Sequence, residues 1–125
     1  MVRYIPSTHD FLRALANEKR LLILEWLLDP LAYFPPQVDG DLMTDGVCLG
    51  AIARKLGVTQ PTGTAHMKVL TEVGLVTPKQ IKNWVFFRPC RETVVQSLSA
   101  LNGRLAGAKA TPPQRPAQVE GGSSN

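Results

Sequence analysis

The stretch GVTQPTGTAHMKVL, residues 57 to 70, decides the fold, because it opens a helix with residues that are weak formers of helix interiors. Thr59 can cap the helix with its hydroxyl, and Pro61 can stand in the first turn, where its missing N–H costs nothing. Just before it, VCLGAIARKL, residues 47 to 56, predicts a short helix that ends at Gly57. Two helices joined by a short turn predict a helix-turn-helix.

The second helix of this pair separates polar from apolar side chains. At about 100° per residue, its polar side carries Gln60, Pro61, Thr64, Lys68 and Thr71. A DNA major groove admits such side chains, since glutamine can bridge N6 and N7 of adenine and threonine offers a hydroxyl and a methyl group. Contacts with base edges, rather than core packing, therefore explain the weak helix formers.

A basic hairpin is predicted directly after this helix. Residues 75 to 89, LVTPKQIKNWVFFRP, contain two extended runs around a turn near Lys82 and Asn83, and the second run is rich in aromatic side chains. Lys79, Lys82 and Arg88 add positive charge along it. A hairpin that only covers the core would explain the aromatic residues but not the basic tip, so we interpret the hairpin as a wing.

The distribution of charge agrees with nucleic-acid binding. The net charge is +4, and residues 54 to 91 carry seven basic side chains and a single acidic one, Glu72. A basic segment is often only a solvated face. Nucleic acid becomes the better interpretation because this segment contains the polar helix and the hairpin.

The rest of the chain predicts one mostly α-helical domain over residues 1–105. A first helix is capped by Ser7 or Thr8, and a buried second helix is capped by Asn17 and ended by prolines. A polar loop of about fifteen residues follows it. The segment 106–125, rich in Gly, Pro, Ala and Ser, is predicted to be a disordered tail.

A last helix, predicted over residues 92 to 105, has apolar side chains at spacings of four, three and four. This seam is either intramolecular core or a surface for a second chain. Because it follows a complete winged unit, we favour homodimerisation, with an interface at Phe11, Val94, Leu98, Leu101 and Leu105.

Composition argues against several other functions. Without an apolar run near 18 residues or a secretory signal, we expect a cytoplasmic protein that does not enter a membrane, with reduced thiols. No phosphate-binding glycine loop, nucleophile elbow or acid–base pair points to an enzyme, and we expect no cofactor. His66 is better explained as a packed histidine than as a metal ligand, and the acidic loop with Asp39, Asp41 and Asp45 as solvated rather than as a cation site.

The span from about Phe11 to Leu105 resembles the ArsR/SmtB family of winged-helix repressors. The residues that carry the resemblance are FLRALANEKRLLILEWL and IARKLGVTQPTGTAHMKVLTEVGLV. It implies a dimer that binds a double-stranded DNA operator, expected to be an inverted repeat, and leaves it on a signal. It also implies DNA contacts from the recognition helix and the wing, at Gln60, Thr62, Thr64, Lys68, Lys79, Lys82, Asn83 and Arg88.

The chain departs from the metal-sensing members of that family. In GVCLGAI, Cys48 is present, but Gly50 stands where a second cysteine would be, and the last helix contains no histidine. A single thiol cannot build the multi-sulfur site that soft ions prefer, so no metal site is predicted. Cys48 and Cys90 remain candidate thiol sensors, while a small buried hydrophobe is the alternative for Cys48.

Two functions from different classes follow from this sequence. The first is a dimeric, sequence-specific repressor with a winged helix-turn-helix fold. The second is a winged-helix module that uses the same helix and hairpin to bind a protein. The two differ in how binding responds to salt and to DNA sequence.

Overall fold

The computed structural model describes residues 5–107, so the predicted tail lies outside the described residues apart from its first two positions. The elements follow in the order α1 (Thr8–Leu15), α2 (Glu18–Leu28), α3 (Pro30–Tyr33), β1 (Val47–Cys48), α4 (Leu49–Leu56), α5 (Gln60–Glu72), β2 (Val76–Ile81), β3 (Trp84–Pro89) and α6 (Arg91–Ala106). The mostly α-helical fold with a β-hairpin is confirmed.

The first two helices begin where their capping residues predict. The Ser7 hydroxyl accepts from the Asp10 N–H at 3.1 Å, and the Asn17 side chain accepts from the N–H groups of Lys19 and Arg20 at 3.0 and 3.2 Å. Helix α2 is the centre of the fold. Its buried face packs into the core through Ile23, Leu24, Trp26 and Leu27.

The helix-turn-helix consists of α4 and α5. Gly57 ends α4 in the left-handed region at φ 77°, where glycine carries no Cβ penalty. Thr59 then caps α5, its hydroxyl oxygen accepting from the Thr62 N–H at 3.3 Å. Both features match the sequence prediction.

The third predicted helix begins two residues later than expected, because Val47 and Cys48 form strand β1. These residues pair antiparallel with β3, opposite Phe87 and Phe86 respectively. A β-branched valine suits that position, and a backbone donor and acceptor at the exposed edge of a hairpin favour pairing. The sheet therefore has the order β1-β3-β2 instead of two strands.

The predicted hairpin is present with a two-residue turn. Ile81 pairs with Trp84, which leaves Lys82 and Asn83 at the tip. Lys82 has φ 56°, a conformation that costs little for glycine but is unfavourable for lysine. The Gln80 side-chain amide donates to the Lys82 carbonyl at 3.2 Å and supports this turn.

The long loop before β1 contacts the sheet through some of its residues, while Asp41 within it is exposed, as expected for a solvated loop. The Gln37 side chain donates to the Gly46 carbonyl at 3.0 Å and accepts from the Cys48 N–H at 2.8 Å. Gly40 lies so close to the Phe86 ring that a Cβ there would be 2.8 Å from it. Pro30 also starts the short helix α3 rather than only ending α2.

Candidate nucleic-acid interface

Helix α5 presents a polar stripe to solvent. Gln60, Thr64 and Lys68 follow one another at intervals of four residues and are exposed, as is Thr62 beside them. The opposite side of α5 is buried through Gly63, Met67 and Leu70. The four α5 residues predicted to contact DNA therefore lie on the solvent side, mainly in the first half of the helix.

The glycine within α5 is explained by packing against α4. A Cβ at Gly63 would be 3.3 Å from the Ala53 Cβ and 3.6 Å from Leu49 Cδ1. Two helices can approach this closely only where both side chains are small. The weak helix former at position 63 therefore allows the close packing of the helix-turn-helix. Thr64 is exposed to solvent, and the exposed Thr62 accepts a hydrogen bond from the Thr59 hydroxyl at 3.2 Å.

His66 packs against α2, as the sequence predicted for a hydrogen-bonded histidine. Its Nδ1 lies 3.3 Å from Arg20 Nη1, and Arg20 Nε donates to the Ala14 carbonyl at 2.6 Å. Partial burial lowers the pKa of His66, and the positive charges of Arg20 and Lys19 lower it further. The imidazole thus links α5 to α2. No group of three or more potential metal-binding side chains occurs among residues 5–107.

The basic side chains of the wing are all held by the acidic loop. Lys79 Nζ donates to the Asp45 carboxylate, and Lys82 Nζ donates to Asp39 Oδ1 at 3.1 Å. The hydrogen bond from Lys79 lowers the pKa of Asp45. Arg88 Nη1 donates to a backbone carbonyl of the same loop, that of Thr44, at 3.2 Å.

This arrangement follows from the register of the hairpin. Lys79 pairs with Phe86, and paired residues of antiparallel strands point to the same face of a sheet. Phe86 is buried under the loop, so Lys79 is directed toward the loop as well. Lys82 and Asn83 are exposed at the tip, where a groove of DNA can reach them.

Two cations that the sequence analysis did not assign to the interface lie at the end of α4. Arg54 Nη1 and Gln60 Nε2 both come within 3.4 Å of the position that a Cβ on Gly50 would take. Lys55 Nζ lies 5.3 Å from the centre of the Trp26 ring. The signal available in the sequence was the basic segment that starts at residue 54.

The two cysteines lie apart within one chain. Cys48 is half-buried and pairs with Phe86 in the sheet, whereas Cys90 follows β3 and lies 3.0 Å from the Thr77 hydroxyl. Cys48 lies beside Phe86, and the four-residue step from position 86 to Cys90 spans about 13 Å in extended chain, so the two cysteines are separated by about that distance. A disulfide needs Cα atoms within about 7 Å, so the two thiols of one chain cannot bridge in this conformation.

The predicted dimer seam is divided between the interior and the surface. Phe11 and Val94 are buried in the core of the single chain, which corrects their assignment to the dimer interface, whereas Leu101 is half-buried and its assignment stays a prediction. Leu98 and Leu105 are exposed by 51% and 80%, and Val95 beside them is exposed by 63%. The exposed apolar stripe therefore begins at Val95, one position after Val94, where the predicted seam begins.

The chain is similar in sequence and in fold to transcriptional regulators. The chain is 34% identical over 85 residues to the uncharacterized HTH-type transcriptional regulator YbzH of Bacillus subtilis, spanning 68% of this chain and 85% of YbzH. The crystal structure of NolR from Sinorhizobium fredii is 28% identical, with a TM-score of 0.52, over 75% of this chain and 79% of that structure. No protein-family model matches the chain.

The fold is also that of an ArsR-like transcriptional regulator from Rhodococcus sp. RHA1, with a TM-score of 0.56 at 19% identity over 79% of this chain and 78% of that one. None of the helices within residues 5–107 is long and apolar enough to cross a bilayer. The relatives confirm the resemblance inferred from the two quoted segments. The chain belongs to the helix-turn-helix transcriptional regulators, the class of DNA-binding proteins that includes YbzH, and it shares its fold with the ArsR-like regulator.

Proposed function

We propose that the protein is a homodimeric repressor that reads an inverted-repeat operator with the first half of α5. The observation that carries the proposal is the exposed stripe of Gln60, Thr64 and Lys68 behind the Thr59 cap. A recognition helix contacts base edges with its N-terminal residues, and glutamine has the donor and acceptor that adenine requires. Thr62 adds a hydroxyl, and Lys68 adds a charge for phosphate.

The proposed dimer uses the outer face of α6, with α1 packed beside that helix. Support comes from the exposed apolar stripe of Val95, Leu98 and Leu105. A two-fold dimer places two recognition helices on successive major-groove faces of the DNA. The operator is then an inverted repeat with half-sites about 34 Å apart.

Selection from a random duplex library, followed by titration at several salt concentrations, tests this function. We expect enrichment of an inverted repeat, and an affinity that falls with log salt at a slope of about −0.9 for each phosphate contact. An enriched sequence without two-fold symmetry would contradict the dimeric operator. An affinity for duplex DNA that depends on neither salt nor DNA sequence would instead favour the winged-helix protein-interaction module.

Removing the carboxylates that hold the wing is expected to strengthen DNA binding. In the double variant Asp39→Asn, Asp45→Asn, Lys79 and Lys82 lose their ion-pair partners and become available to phosphates. Exposed ion pairs are typically worth up to about 1 kcal/mol each, so release of both lysines is expected to raise affinity for any duplex by up to roughly tenfold at low salt, with a steeper salt slope. Fluorescence anisotropy on operator and random DNA measures both quantities.

The matched control removes two negative charges elsewhere, at two exposed residues: Glu25 within α2, and Asp29, the C-cap residue of α2. An equal gain in both double variants would mean that overall charge, rather than release of the wing, sets the affinity. No gain in the loop variant would show that the loop does not compete with DNA.

Cys48 remains the thiol that we propose for a redox-dependent release, because it is half-buried beside the first turn of α4, the helix that supports α5. We expect an oxidant to weaken operator binding by the wild type but not by Cys48→Ser, with Cys90→Ser as the control that keeps the response. Operator titrations under reducing and oxidising conditions measure it. Equal oxidant responses in wild type and Cys48→Ser would remove Cys48 as a sensor.

A further inference from the structure

A concave pocket lies between the loop, α4, the start of α5 and the wing. Its volume is about 720 Å³, within the range of pockets that hold small organic ligands. The aromatic side chains in its lining are those of Tyr33, Phe34, Trp84 and Phe86. Its lining includes Gln60 of the α5 stripe that we propose for base reading, but not Thr64 or Lys68.

Two of the four aromatic side chains that line the pocket are open to solvent. Tyr33 and Trp84 are exposed by 43% and 49%, although they are large apolar side chains that line one cavity. Exposed apolar residues that converge on a cavity, unlike single ones on a flat surface, are typical of a ligand-binding site. The rings of Tyr33 in α3 and Trp84 in β3 suit a flat aromatic ligand, because aromatic groups pack by offset stacking and edge contacts.

Two basic side chains, Arg54 and Lys55, line the polar part of the pocket. No carboxylate among residues 5–107 pairs with the Arg54 guanidinium; Asp39, which also lines the pocket, is paired with Lys82. Arg54 Nη1 and Gln60 Nε2 converge above Gly50, each 3.4 Å from where its Cβ would be. Two N–H donors, one of them charged, therefore lie near the same point of the pocket lining, where a carboxylate can accept from them.

We propose that this pocket binds a small aromatic carboxylic acid, with the ring against the exposed Tyr33 and Trp84 and the carboxylate on Arg54 and Gln60. The effect of this ligand on DNA binding rests on the proposed function, because Gln60 is also the residue that we propose to read bases. A carboxylate on Gln60 competes with adenine, so the ligand and the operator oppose each other. Coupling of this kind is typically about 5- to 150-fold, and it is equal in both directions.

The binding site is tested first on DNA-free protein, by calorimetry with 1-naphthoate and with the neutral 1-naphthalenemethanol. We expect the acid to bind with 1:1 stoichiometry per chain, and the neutral alcohol to bind at least tenfold more weakly. Arg54→Gln is expected to raise the Kd for naphthoate about tenfold or more, since it removes a charge-assisted hydrogen bond. Arg104→Gln, which removes the same charge from an exposed position on α6, is the matched control and leaves the Kd unchanged.

The aromatic wall is tested by Trp84→Ala, whose side chain is half-exposed and therefore dispensable for the core. We expect weaker naphthoate binding with an unchanged thermal midpoint. Absence of naphthoate binding to the wild type overturns the proposal, as does an equal Kd in wild type, Arg54→Gln and Trp84→Ala. Equal weakening by Arg54→Gln and Arg104→Gln overturns the placement of the carboxylate.

The link to DNA is tested separately, by titrating the selected operator with and without saturating 1-naphthoate. We expect the operator Kd to rise at least fivefold, and an unchanged Kd overturns the opposition between ligand and operator. If no operator can be selected while naphthoate still binds through Arg54, the proposed function fails and the pocket stands. If the operator binds but naphthoate does not, the pocket fails and the proposed function stands.

Discussion

Aspartates at Leu98 and Leu105 are expected to convert the protein to monomers and to weaken operator binding about 100-fold or more. Both side chains are exposed on the outer face of α6, so the double variant places charges in the proposed interface without opening the core. A charge buried without a partner opposes association, and a monomer loses the second, linked half-site contact. Sedimentation velocity and operator titration measure the two effects.

The control places aspartates at Leu21 and Leu31, which are exposed on α2 and α3. We expect this variant to remain dimeric and to bind as the wild type does. A Leu98→Asp, Leu105→Asp protein that still sediments as a dimer would show that α6 is not the interface. Dissociation without loss of operator affinity would show that one chain is the DNA-binding unit.

Gln60→Ala is expected to reduce discrimination between operator and random duplex by about 1–3 kcal/mol, the contribution of one bidentate base contact. Gln60 is the first residue of α5 and is exposed, so truncation changes the reading surface and leaves the cap on Thr59 intact. Parallel anisotropy titrations on the two duplexes give the discrimination ratio directly.

Lys68→Gln is the informative comparison, because it changes a proposed phosphate contact on the same helix. We expect it to weaken binding to operator and random duplex alike, and to reduce the salt slope by about 0.9. If Gln60→Ala instead weakens both duplexes equally, Gln60 positions the helix and does not read bases. An unchanged ratio in Gln60→Ala would move sequence reading to Thr62, Thr64 or the wing.

Features set by neighbouring residues were predictable from the sequence. The start of α5 depends on Thr59 and on the N–H three residues later, and the end of α4 depends on a glycine in the left-handed region. The hairpin was predictable because its two strands are adjacent in the chain. These local rules located the helix-turn-helix and the wing, the two parts of the candidate interface.

Features that join distant residues were not predictable. Lys82 is 43 residues from Asp39, and Lys79 is 34 residues from Asp45, so no local pattern indicated that the loop would hold the wing. Strand β1 was predicted as helix because its pairing partner is supplied by β3. In α6, helical spacing alone does not say whether Val94 or Val95 faces the core of its own chain.

The position of β1 also has a consequence for the order of folding. Val47 pairs with Phe87, 40 residues later in the chain, and the whole helix-turn-helix lies between them. Closing so long a segment costs more conformational entropy than forming α4, α5 or the β2–β3 hairpin, whose contacts are local. We therefore expect β1 to pair late in folding, after the recognition helix and the hairpin exist. Hydrogen exchange at the edge of the sheet should then be faster than in α5, as in the less protected parts of other domains.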